Sequence, residues 1–363
     1  AAIVRELGKF AGNGGVYKGK KPVYWCGFDE TALAEAEVEY ADHESPSVYV
    51  TFDLPDAGNA IPSLNGKRAA IVIWTTTPWT LIANLAVALH PELDYVAVET
   101  DGRVLILAEG LLAQSLEKFG VKDYRVIEKF KGRKLEGLKA RHPFIDRDSL
   151  VILGDHVTLE AGTGAVHTAP GHGQEDYEAG LRYGLDIYAP VDQKGRFTKE
   201  AGEFAGQQVF KANKGIIELL KSKGALMAEE KIAHSYPHCW RCKNPVIFRA
   251  TEQWFISMKK NDLLKKTIEN ANTVAWVPSW GKDRFLSMIE SRPDWCISRQ
   301  RAWGVSIVAF TCTDCGELLL DKAVIDHVAD IVEKEGSDVW FVKSPAELLP
   351  PGTSCKKCGK QNF

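Results

Sequence analysis

No stretch of this 363-residue sequence approaches the ~18 to 20 consecutive apolar residues of a membrane helix, and its first residues are not a charged-then-apolar leader. A soluble, cytoplasmic chain without a membrane partner is expected. Charge of one sign is also missing: 45 lysines and arginines stand against 48 aspartates and glutamates, for a net charge of -3 and a pI near 6.4. That balance excludes a protein that coats nucleic acid by bulk charge. It leaves three local basic stretches as candidates, Lys18 to Lys21, residues 128–134 and Lys259 to Lys266, whose plain reading is a solvated face. No glycine-rich loop continues into the Lys-Ser/Thr of a P-loop, so phosphoryl transfer is not expected. Neither a Gly-x-Ser-x-Gly elbow nor a cysteine in the glycine-rich loop is found, which leaves no serine or cysteine hydrolase constellation. Internal repeats and low-complexity tracts are absent too.

What remains is ordinary globular composition, 45% hydrophobic and 26% charged, enough for one large core or two to three domains. The chain opens directly in helical pattern, "AAIVRELGKFAG", and stops at "CGKQNF" without a capping element, so a piece of something longer is expected.

Six of the eight cysteines fall into Cys-x-x-Cys pairs, a spacing that favours thiolate zinc sites in a reducing compartment. "CTDCG" and "CKKCG" are two knuckles, and Cys312, Cys315, Cys355 and Cys358 together make a tetrahedral set for one structural zinc. "HCWRC" supplies Cys239 and Cys242, half of a second site. Its partner is Cys26, with Asp29 standing where another Cys would complete the pair; His234 or His238 serves equally well, and an empty knuckle is the alternative. Cys296 is expected to pack as a small apolar side chain.

Along the chain, residues 1–43 read as a helix (1–12), a glycine turn, the strand "KPVYWC" and a short helix "TALAEAEVEY". Residues 44–230 are strand-rich, with a hairpin at Asp101-Gly102, and predict a compact mixed α/β domain with barrel-like sheet curvature. Residues 231–363 hold "HCWRCKNPVIF", "TEQWFISM", "RPDWCISRQRAWG" and the double knuckle.

Two stretches carry candidate chemistry. "WTTTPWTL", residues 74–81, follows the strand-like "AAIVI" and lines up hydroxyls where hydrocarbon would pack better; threonine keeps strand geometry while presenting an oxygen. "AGTGAVHTAPGHGQEDYEAG", residues 161–180, predicts a loop whose glycines, Gly162 and Gly164 among them, bring the backbone close to a ligand before a helix starting near Gln174. Asp176 falls in the first turn of that helix, either as a plain N-terminal charge or as the partner of a cationic group such as an α-amino group, enclosed with His167.

"WTTTPWTL" with Asn84, "GTGAVHTAPGHGQEDY", "SYPHCWRCKNPVIFRATEQWF" and "RPDWCISRQRAWG" together resemble the bacterial isoleucyl-tRNA synthetases, over essentially the whole chain. The resemblance implies a mixed, barrel-like editing domain (44–230) inserted into a partial class I Rossmann catalytic domain with zinc-ribbon elements (1–43 and 231–363). It implies hydrolysis of valyl-tRNA(Ile), because one methylene is too little for a single site to separate isoleucine from valine. By the resemblance, Asp176 holds the α-amino group of valine and His167 limits the side-chain pocket. Thr75, Thr76, Thr77, Thr80 and Asn84 meet the terminal adenosine, the ester carbonyl and the attacking water, with Trp74 as a wall. Trp254 and residues 294–304 belong to the amino-acid pocket. The partners implied are tRNA(Ile) mischarged with valine, and valine or valyl-adenylate, bound by a monomer. The "HIGH" and "KMSKS" signatures are absent, so ATP, isoleucine and aminoacylation belong to the full-length parent. Asp29 departs from the second cysteine of many relatives. A zinc-stabilised tRNA-binding module without turnover is the alternative reading.

Overall fold

The computed structural model describes residues 1–290, 292–301 and 304–363. They form two compact units, residues 20–251 and residues 1–19 with 252–363. No helix among the described residues is long and apolar enough to cross a membrane.

The larger unit is built on one ten-stranded mixed sheet. Its strands are β1 (Val38–Asp53), β2 (Ala69–Thr75), β3 (Ala86–Leu89), β4 (Asp94–Thr100), β5 (Arg103–Ala108), β6 (Arg125–Lys131), β7 (Lys139–Arg141), β8 (Asp148–Leu153), β9 (Ala165–Thr168) and β10 (Leu226–Cys239). In space they run β9-β3-β8-β7-β1-β2-β5-β4-β6, with β10 alongside β1. The β3/β8 and β2/β5 pairs are parallel; β1 pairs antiparallel with both β2 and β10. Strands β2 to β5 are buried on both faces, which is why "AAIVI", "AVAL" and "VLILA" read as unbroken apolar runs rather than alternating ones. Asp101 and Gly102, with φ of 44° and 78°, make the expected tight hairpin between β4 and β5. The sheet curls back on itself: Thr163 Oγ1 donates to Val72 O at 2.6 Å and Ala108 N donates to Thr163 O at 2.8 Å, tying the approach to β9 onto β2 and β5. This is the barrel-like curvature that the strand-rich pattern predicts.

Three helices cover the sheet's ends and faces: α1 (Leu112–Lys118), α2 (Gln174–Arg182) and α3 (Val209–Ser222). Helix α2 starts at the expected residue with Glu175 and Asp176 in its first turn, where carboxylates suit the helix dipole.

The expected helix over "TALAEAEVEY" does not form. Thr31–Leu33 is a strand in register with Tyr24–Cys26, Glu35–Glu37 is a single 3-10 turn whose Glu37 side chain accepts from Ala34 N at 2.7 Å, and β1 begins at Val38. Alanine and glutamate favour helix locally, but strand pairing on both sides overrides that preference. The divisions expected at 43/44 and 230/231 fall inside the continuous β1/β10 ribbon, paired from Val38↔Cys239 to Val50↔Leu226.

In the smaller unit, helices Ala2–Gly12 and Lys322–Glu335 bury Val4, Ala11, Ile325, Val328 and Ala329 in one core with Phe310, Leu319 and Leu348. Arg5 pairs across them with Asp330 and Glu333 at 2.6 and 2.7 Å. A short hairpin, Phe310–Thr311 with Leu318–Leu319, carries the first knuckle.

Candidate functional site

The hydroxyls of "WTTTPWTL" are organised by the end of β2 and the 3-10 turn Pro78–Ala83 that follows it. Pro78 cannot donate to a ladder, so the strand stops and the chain turns, bringing threonines two and three apart within reach of one another. Thr75 Oγ1 accepts from Thr77 N at 3.1 Å and lies 3.2 Å from Thr77 Oγ1. Thr77 Oγ1 is 3.2 Å from Thr80 Oγ1, and Thr80 Oγ1 donates to Thr77 O at 2.8 Å. The chain of hydroxyls ends 2.9 Å away on His167 Nε2, from β9. Burial pulls His167 down to about 4, so the ring is neutral at pH 7. The structure therefore joins Thr75, Thr77, Thr80 and His167 into one relay. Thr76 is outside it; with Thr77 it lines a cavity of about 270 Å³ whose walls include His43, Trp79, Phe210 and Tyr236. Among the described residues, neither His167 nor Asp176 lines that cavity.

Asp176 turns back from the first turn of α2 and accepts from Ala169 N at 2.9 Å. Burial of its carboxyl, partly countered by that bond, pushes it up to about 6. An enclosed carboxylate with one backbone donor keeps capacity for a cation.

Seven of the eight cysteines gather in two clusters, and each Cys-x-x-Cys pair stays together. Sulfurs of Cys312, Cys315, Cys355 and Cys358 lie within 4.8 Å of one another, and so do the ligand atoms of Cys26, Asp29, Cys239 and Cys242. In the first cluster Gly316 and Gly359, at φ of 72° and 74°, close the two knuckles with bonds to Cys312 O and Cys355 O. In the second, Cys26 and Cys242 sulfurs are 3.4 Å apart and Cys239 Sγ is 3.3 Å from Asp29 Oδ2. Lys243 takes the positive φ, 59°, where the other knuckles have glycine. The ligand atom gathered with the three sulfurs is that of Asp29, while His234 meets Ser45 Oγ and His238 meets Tyr236 O. Both sets have the donor number and softness of a tetrahedral metal site.

The model for class I tRNA synthetases (I, L, M and V) matches residues 1–363. The chain belongs to this family. The isoleucine–tRNA ligase of Geobacter sulfurreducens is 61% identical over 360 residues, 99% of this chain and 39% of that protein. That of Syntrophotalea carbinolica is 55% identical over 366 residues, with 100% and 39% covered. The chain thus spans about two-fifths of the length of these relatives. One solved structure, the P. knowlesi cytosolic leucyl-tRNA synthetase editing domain, superposes on 53% of this chain and 97% of its own, at 12% identity and a TM-score of 0.40.

Within this class I synthetase chain, several of the residues singled out in the sequence are engaged by the protein itself. Asn84 is fully buried, its Nδ2 donating to Ala86 O at 2.8 Å and its Oδ1 accepting from Ser149 at 2.5 Å, so its amide is spent on the turn from the 3-10 segment into β3. Trp74 is not a wall of the relay. It projects from the opposite face of β2 to Thr75, packs with Tyr49 and Val72, and donates from Nε1 to Ser47 Oγ at 2.6 Å. The freedom of Gly162 and Gly164 serves protein packing: a Cβ would stand 2.9 Å from the Trp74 ring at the first and 2.3 Å from Ala108 Cβ at the second, both at positive φ. Trp254 bonds through its backbone to Ser298 and Ile297, while Ala302 and Trp303 of the expected amino-acid pocket lie outside the described residues. The basic run 128–134 is neutralised, with Lys129 and Lys131 paired to Asp94, Arg133 to Glu92 and Lys134 to Glu128.

Sequence reasoning missed Trp79, His172 and Asn213. Trp79 N donates to Asn213 Oδ1 at 2.9 Å, and the Trp79 and His172 rings meet edge-on at 4.9 Å. The signal for His172 was its place in the same glycine-rich loop as His167; nothing local points to Asn213.

Proposed function

We propose that this chain carries the hydrolytic editing site of an isoleucine–tRNA ligase, cleaving valine from tRNA(Ile) misacylated with it, and that the parent enzyme attaches isoleucine to tRNA(Ile) with ATP. The reading is carried by the threonine relay ending on a neutral, buried His167, with Asp176 as the nearby loop's enclosed carboxylate. The names and identities of the relatives support the choice of tRNA and amino acid. In this reading the editing domain is residues 44–230.

Asp176 accepts the α-ammonium of the valyl group; at pH 7 a carboxyl of pKa about 6 is ionised, and a bound ammonium lowers it further. The hydroxyls of Thr75, Thr76, Thr77 and Thr80 hold the ester carbonyl, the terminal adenosine and one water. The water oxygen bonds to the carbonyl carbon, the bond to the ribose oxygen breaks, the ribose oxygen takes one proton, and valine leaves as a carboxylate with release of the other. An aminoacyl ester is already activated, so orientation and hydrogen bonds suffice without a protein nucleophile. His167 excludes the extra methylene of isoleucine, and valyl-adenylate fits the same pocket. The two cysteine clusters hold zinc, which would pin the knuckles and take no part in the hydrolysis. The protein acts in the cytoplasm as a monomer.

Replacing Asp176 by Ala in the chain and following release of valine from valyl-tRNA(Ile) tests this. Loss of hydrolysis is expected, and unchanged hydrolysis overturns the assignment. Salt-sensitive tRNA binding with the valyl ester left intact points instead to a binding module without turnover.

A further inference from the structure

Three buried polar atoms beside the threonine relay have no hydrogen-bond partner in the protein: Trp79 Nε1, His167 Nδ1 and His172 Nε2. Their residues are 2%, 6% and 8% exposed. The protonation of each follows from the bonds around it. His172 Nδ1 lies 2.8 Å from Phe248 O, and a carbonyl only accepts, so Nδ1 carries the ring proton. Burial pulls His172 down to about 4, the ring is neutral, and Nε2 is a bare lone pair. Thr80 Oγ1 gives its single proton to Thr77 O, so it accepts from His167 Nε2–H, and the neutral His167 ring has its own bare lone pair at Nδ1. Trp79 Nε1 has only a proton to offer. The rings of Trp79 and His172 are 4.9 Å apart, edge-on, and Trp79 directly precedes Thr80, whose hydroxyl meets His167 Nε2.

Two acceptors and one donor are the complement of a single water molecule. Each group left unpaired costs about 1–3 kcal/mol, and buried waters make about three hydrogen bonds. We propose that His167, His172 and Trp79 share one buried water that fixes His167 as the Nε2–H tautomer, which makes His172 a positioning residue for the threonine relay. The water donates to His167 Nδ1 and His172 Nε2 and accepts from Trp79 Nε1–H. His167 then points its proton at Thr80, Thr80 points its own at Thr77 O, and the relay runs one way, Thr75 donating to Thr77 and Thr77 to Thr80, until a bound molecule competes for those protons. Only this catalytic consequence rests on the hydrolytic reading; the water and the tautomer do not.

A crystal structure fine enough to place waters, with nitrogen NMR of the protein labelled in histidine, tests the inference. One water within about 3.2 Å of all three atoms is expected, together with His167 protonated at Nε2 and not at Nδ1. His172→Phe removes an acceptor: it is expected to disturb that tautomer and lower kcat for the valyl ester about tenfold with KM unchanged. His172→Gln returns an acceptor, and is expected to restore kcat to within about threefold. Should His172→Phe not fold, Trp79→Phe gives the same reading of the tautomer. The inference is overturned by the absence of a shared water, by a proton on His167 Nδ1, or by His172→Phe lowering only the melting temperature. Wild-type protein that leaves the valyl ester intact overturns the hydrolytic reading alone.

Discussion

The threonine relay and the cysteine clusters are both dense sets of polar atoms, yet they are completed in opposite ways. In each cluster four ligand atoms face one another and call for a cation at their centre. In the relay the hydroxyls satisfy one another and a backbone carbonyl, and the unpaired capacity is pushed to its edge, at His167. The clusters are arrangements for holding, with a free energy that belongs to folding. The relay is an arrangement for orienting something small, with little folding energy of its own. The lesson is that a concentration of polar residues says less than which atoms are left without a partner.

Experiments can widen or erase this contrast. The largest effect is expected from Cys355→Ser or from stripping metal off the Cys312/Cys315/Cys355/Cys358 set. Structural zinc in small knuckles is worth about 10–16 kcal/mol, so the thermal transition of the smaller unit is lost, as calorimetry will show, while valyl-ester hydrolysis by the larger unit persists. Metal mass spectrometry sharpens the point: the set containing Asp29 gives up its ion at lower chelator concentration, because carboxylate is the harder ligand, and Asp29→Cys closes the gap. Asp176→Asn is expected to lower kcat/KM for the valyl ester about 100-fold, some 3 kcal/mol, with the melting temperature little changed.

Acid should act on the buried rings. His142, His167 and His172 are pulled down to about 3, 4 and 4, so their stabilising neutral state is complete above the unfolded pKa of 6.5 and stability falls as pH drops from there toward 4. Asp176, raised to about 6, works the other way over 3.8 to 6. Near pH 5 these four groups together take up about two protons on unfolding, measurable as the slope of stability against pH. The smallest effect is expected from Thr80→Val, which breaks one link of the relay and costs about tenfold in kcat.

What was legible in the sequence was local. The three Cys-x-x-Cys pairs, the Asp101-Gly102 hairpin, the start of α2 at Gln174 and the hydroxyl row after β2 each depend on residues a few positions apart. What was not legible depends on partners far away. Asn84 looked available until Ser149, 65 residues on, took its amide. Trp74 alternates with Thr75 along β2, and what it meets on its own face, Tyr49 and Ser47, comes from a strand more than twenty residues earlier. Gly162 and Gly164 announced a close approach, and the neighbours they approach are Trp74 and Ala108, far away in sequence. The helix expected near residue 35 failed because the pairing of β1 with a strand almost 200 positions later outweighed local propensity.

The most direct test of the central claim is to present the 363-residue protein with valyl-tRNA(Ile) and isoleucyl-tRNA(Ile) side by side and follow ester hydrolysis. The account predicts rapid loss of valine and retention of isoleucine. Both esters surviving, or both cleaved at the same rate, would contradict it.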